Sequence, residues 1–77
     1  MTNRVFKQYH LKAPFNESYK LIRHIRFIHN LGILAKISHE DVEDGYTFVC
    51  IILKSNTTIG NHAIAMSNLE SMGLKAI

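Results

Sequence analysis

Polar and apolar residues alternate over Arg4–Lys12, with Val5, Tyr9 and Leu11 on one parity and Lys7 breaking it. That alternation predicts a β-strand, which Pro14 ends because it has no amide hydrogen to give a ladder. Asn16 is placed to cap a helix by accepting an amide of its first turn, and Glu17 suits the positive end of the helix dipole. Over Glu17–Leu31 the residues Leu21, Ile22, Ile25, Ile28 and His29 fall on one side at helical spacing. Gly32 follows, where a left-handed cap is usual. Ile33–His39 and Tyr46–Lys54 are β-rich runs joined through the acidic turn Glu43-Asp44-Gly45, a hairpin signal whose loop reads as longer than two residues. Thr58–Met72 sets Ile59, Ala63, Met66 and Leu69 on a second helical stripe, capped by Thr57 or Thr58. Gly60 weakens its first turn by about 1 kcal/mol relative to Ala. After Gly73, Leu74-Lys75-Ala76-Ile77 predicts a short last strand.

The order βαββαβ predicts an α+β, ferredoxin-like domain over residues 1–77. Right-handed crossovers put both helices on one face of a four-stranded antiparallel sheet and leave the other face bare. A chain of 77 residues buries only about 60–65% of its unfolded surface and needs support. Cys50 is the only cysteine, so neither an internal disulfide nor a Cys-rich zinc site supplies it. Association is the expected support. No apolar run reaches the roughly 18 residues of a spanning helix, and the first residues lack the apolar stretch of a signal peptide. The expected setting is cytoplasmic.

The Tyr46–Lys54 run does not alternate as a half-wet strand should. Tyr46, Phe48, Cys50 and Ile52 occupy one parity, and Thr47, Val49, Ile51 and Leu53 the other. Helices cover only one of these. Burying three large side chains of the other is worth very roughly 5–8 kcal/mol before entropy costs. Tyr46, Phe48, Val49 and Ile51 are therefore interface candidates, without a choice between the two parities. The competing reading is a hydrophobic central strand screened by its neighbours. Phe27 and Leu31, four residues apart and near Lys20, Arg23 and His24, form a second candidate docking patch.

The net charge is +3. Residues 1–36 carry seven Lys/Arg against Glu17 alone, and residues 37–77 two Lys against five acids, +6 and −3 respectively. The split suits a nucleic-acid binder using Arg4, Lys7, Lys12, Lys20, Arg23 and Arg26, or a solvated helix face plus an acidic turn. Base stacking on such a sheet needs aromatics on its two central strands. Ile33-Leu34-Ala35-Lys36-Ile37 has none, which counts against it. No catalytic residues and no metal ligands emerge. The acids Glu40, Asp41, Glu43 and Asp44 crowd one turn without calcium-loop spacing. His24 and His29 do not share a helix face as ligands at i and i+4 would.

The Phe15-Asn16 entry, the helix Leu21-Ile22-Arg23-His24-Ile25-Arg26, the Leu31-Gly32-Ile33 turn, the Asp44-Gly45 hairpin, Phe48–Leu53 and Met72-Gly73-Leu74 span nearly the whole chain. Together they resemble an ACT domain, and within that family the single-domain small subunits of acetohydroxyacid synthase (acetolactate synthase). The resemblance implies a non-catalytic regulatory subunit that dimerises and binds a large catalytic subunit of branched-chain amino acid biosynthesis. Thiamine diphosphate, Mg and FAD would belong to that partner, and none to this chain. It implies an amino-acid effector at Asn16 and at the amides of Gly32 and Ile33. The family's first loop typically carries an Asp and a Gly. Here it reads Ala13-Pro14-Phe15-Asn16-Glu17, which favours stabilisation of the partner over tight effector binding. The alternative from another class is a small protein inhibitor, for example phage-encoded, that uses the same bare face.

Overall fold

The computed structural model describes residues 7–76, so Val5 and Ile77 of the predicted outer strands lie outside them. Strand β1 is Gln8–Pro14, helix α1 Tyr19–Asn30, strand β2 Leu34–Glu43, strand β3 Tyr46–Leu53 and helix α2 Ile59–Ser71. β3 lies between β1 and β2, antiparallel to both. Ala76 bridges Leu11 antiparallel. Because β3 already occupies one edge of β1, Ala76 takes the other, and the sheet has the four positions of the ferredoxin-like arrangement.

The core follows from period two in the strands. Tyr9, Leu11 and Ala13 of β1 and Thr47, Val49, Ile51 and Leu53 of β3 are buried beneath the helices. Leu21 and Ile28 of α1, Ala65 and Leu69 of α2, and the turn residues Ile33 and Leu74 fill the other side. Both helices end in the same device. Gly32, at φ 74°, has the left-handed conformation that glycine adopts without Cβ strain. Its amide donates to the His29 carbonyl at 2.9 Å, and that of Ile33 to the Ile28 carbonyl at 3.0 Å. These are the two bonds of a Schellman cap, with Ile33 as its buried apolar clasp. Gly73 and Leu74 repeat the pattern on Glu70 and Leu69.

Local expectations are corrected at the α1 cap, the hairpin loop and the phases of both helices. The helix does not start at an Asn16 cap. Phe15–Glu17 form a 3-10 turn and Ser18 is the cap residue. The Ser18 hydroxyl donates to the Phe15 carbonyl at 2.7 Å, so the Thr47 hydroxyl, also 2.7 Å away, must donate to it. The hairpin loop is only two residues long. Asp44 and Gly45 both have positive φ, 52° and 81°, the type I′ turn that Asp-Gly favours. β2 therefore runs on through Glu43, and Asp41 and Glu43 belong to a strand rather than to a wet turn. Finally, α1 is rotated from its expected phase, with Leu21, His24 and Ile28 buried and Ile22 and His29 exposed. In α2, Thr58 is the cap, accepting from the Asn61 amide at 3.1 Å. Ala65 and Leu69 face the core with Met66 and Met72 beside them, while Ile59 and Ala63 are exposed.

Candidate functional site

Residues directly opposed in an antiparallel ladder point to the same side of the sheet, so the register lays out the face that the helices leave open. Its centre is Tyr46, Phe48, Cys50 and Ile52 of β3. On one side Lys12 opposes Phe48, His10 opposes Cys50 and Gln8 opposes Ile52. On the other, Glu43 opposes Tyr46, Asp41 opposes Phe48 and Lys36 opposes Ile52. The hairpin half of this face is thus an apolar strip with a cationic margin on β1 and an anionic margin on β2.

The margins also shield the strip. The Lys12 ammonium lies 4.9 Å from the centre of the Tyr46 ring, a cation–π contact. The Tyr46 and Phe48 rings stand 6.5 Å apart along the strand. His10 Nε2 approaches Cys50 Sγ at 3.9 Å, and Cys50 is only 4% exposed. Tyr46 is 39% exposed, and Phe48 and Ile52 are half-buried. Screening by neighbours is therefore substantial at Cys50 and incomplete at the two rings. Around the end of β1, Lys12, Tyr46, Glu17, Lys20 and Lys75 line a groove of about 280 Å³, where Lys20 is held by an ion pair to Glu17.

The interface candidates separate cleanly. Val49 and Ile51 face the helices and are buried core, so neither offers a surface. Tyr46 and Phe48 hold the open face. Phe27 and Leu31 are half-buried and pack against the core. The effector candidates are not brought together. Asn16 precedes α1 and Gly32 follows it. The twelve helical residues between them separate the ends by about 18 Å. The Gly32 and Ile33 amides are spent on the Schellman cap and are not available to a carboxylate. The strand order also bears on base stacking. The second central strand is β1, not β2, so the aromatics of β3 have His10 and Lys12 beside them, with Asp41 and Glu43 on the opposite flank.

Two features escaped the sequence reading. The first is a buried polar chain. Tyr9 Oη is 2.7 Å from His24 Nε2, and His24 Nδ1 is 2.8 Å from Asn68 Oδ1. His24 is fully buried. Asn68 Oδ1 can only accept, so Nδ1 carries the proton and Nε2 accepts from the tyrosine hydroxyl. One neutral imidazole thereby ties β1, α1 and α2 together. Burial lowers its pKa below the ordinary 6.5, opposed by the bond to Asn68, and burial raises that of Tyr9. The available signal was position: His24 lies three residues after Leu21 and four before Ile28, on the core stripe. The second feature is a set of exposed apolar residues over the 3-10 turn and the first turn of α1. Phe15, Tyr19 and Ile22, spaced by four and three residues, are 62%, 53% and 55% exposed.

Among the described residues no three His, Cys, Asp or Glu side chains gather as metal ligands would, and no helix is long and apolar enough to cross a membrane. Comparison with protein-family models returns no match, and comparison with curated proteins returns none either.

Proposed function

We propose that the chain is a non-catalytic protein-binding subunit acting through the open face of its sheet. One observation carries this reading. The central strand β3 presents two adjacent rings, half open to water, between margins of opposite charge, which is the layout of an interface centre with a polar rim. The most specific form of the proposal is the one the sequence resemblance implies. The chain would be a regulatory, stabilising small subunit that pairs with itself and docks on the catalytic subunit of acetohydroxyacid synthase. In that form it works by contact, because the amides expected to receive an effector carboxylate already close the end of α1. The test is to mix the chain with a catalytic subunit and follow co-elution and acetolactate formation. Co-elution with a changed rate supports the specific form. Absence of both effects removes it.

A second reading, single-stranded nucleic acid stacking on Tyr46 and Phe48, is favoured by Lys12 and His10 on the neighbouring central strand. It ranks lower because Asp41 and Glu43 flank the same rings and repel phosphates. Oligonucleotide binding that falls steeply with salt would support it. No binding at low salt would remove it.

A further inference from the structure

Resting on that reading of the open face, we infer that the face pairs with a second copy of this chain, stacked face to face about a two-fold axis running along β3. The register supplies the argument. Lys12 and Asp41 both oppose Phe48, so all three share one row across the sheet. Rotation about an axis along β3 carries β1 of one copy over β2 of the other without shifting it along the strands. Lys12 of each copy then meets Asp41 of its partner, and Phe48 meets Phe48 on the axis. Two symmetric ion pairs flank one ring contact, an isologous and self-complementary surface.

The competing arrangement has its axis across the strands. It sets β1 on β1, turns Lys12 towards His10 and trades the Lys12–Asp41 pairs for Lys36–Glu43 pairs. The along-strand axis is preferred because it neutralises the lysine that stands beside the rings. Packed sheets keep their strands within about 30°, so matched rows stay matched near the centre. Strand spacing and rise make the three-stranded face roughly 15 by 25 Å. That is small for a specific interface, so the dimer is weak, micromolar or looser. Its rim ion pairs make it salt-sensitive.

Sedimentation equilibrium on the full chain tests the geometry. The wild type is expected to show a monomer–dimer equilibrium. Lys12→Glu and Asp41→Lys are each expected to weaken it about tenfold or more, and the double swap to return it to within about threefold of wild type. Circular dichroism checks folding throughout. Asp41 also accepts the Val42 amide at 2.8 Å. If Asp41→Lys unfolds, Lys12→Glu decides alone, and an unweakened dimer there overturns the pairing. A wild type that stays monomeric, single swaps without effect, or rescue by Lys36→Glu with Glu43→Lys instead would also overturn it. A monomeric chain that still co-elutes with a catalytic subunit through Phe48 overturns self-pairing and leaves the functional reading standing. Oligonucleotide binding lost in Lys12→Glu, with no dimer, overturns both.

Discussion

Removing one hydroxyl should unsettle three elements at once. Tyr9→Phe keeps the ring packed in the core and deletes the donor that His24 Nε2 uses at 2.7 Å. The imidazole is fully buried, and its other nitrogen is committed to Asn68, so Nε2 is left as an unsatisfied acceptor away from water. Such a group costs about 1–3 kcal/mol. In a domain of this size each kcal/mol lowers the melting temperature by about 4–8 °C. His24→Leu removes the acceptor along with the ring, so Tyr9→Phe added to it should cost far less than it does alone. Circular dichroism during urea or thermal unfolding at pH 7.5 measures the whole cycle, and the chain has no tryptophan to serve instead. A Tyr9→Phe effect below about 0.5 kcal/mol, or one that simply adds to that of His24→Leu, would refute the buried chain.

Other consequences follow from the same geometry. Stability should fall as pH drops below about 6.5, because the unfolded chain then takes up protons that the buried, depressed His24 refuses, with His62 shifted the same way. Melting scans from pH 8 to 5 check this, and the slope should shrink in His24→Leu. Ile51→Glu should abolish folding because Ile51 is fully buried under the helices, whereas Phe48→Glu should fold, as circular dichroism will show. Thr58→Ala should cost about 1 kcal/mol by loss of the α2 cap, read from the shift of the urea midpoint at constant m-value.

The topology was legible because alternation in the strands and glycines at helix ends are local signals. Tyr9 and Leu11 announce the inner face of β1, and Gly32 and Gly73 mark where the helices stop. The phase of α1 was not legible from apolar counting. Ile22 continues the stripe as well as His24 does, and what places His24 inside is a pair of long-range hydrogen bonds to Tyr9 and Asn68. In α2 the apolar residues Ile59, Ala63, Ile64, Ala65 and Met66 surround the axis, so several phases fit. The hairpin at Asp44-Gly45 is legible, but its loop length is not, because the four acids between Glu40 and Asp44 suggest a longer solvated loop. The Asp44-Gly45 turn is tight enough to draw Asp41 and Glu43 into the ladder, and that created the anionic margin. Candidate residues failed where they depended on spatial neighbours. The parity of Val49 and Ile51 was ambiguous in β3 alone and is settled by which side the helices pack on. The Gly32 and Ile33 amides are effector candidates only through the resemblance, and the glycine that marks the end of α1 already commits them to the cap.

Pairing of the open face with a second copy of this chain is open to one direct measurement. Amide chemical shifts of the isotope-labelled chain, followed from ~10 µM to ~1 mM, span the range where so small an interface would form. Self-pairing predicts concentration-dependent shifts gathered at Lys12, Asp41, Tyr46, Phe48 and Ile52 and absent in Phe48→Glu. A spectrum that does not move, or one that moves instead at Phe15, Tyr19 and Ile22 around the start of α1, would contradict it.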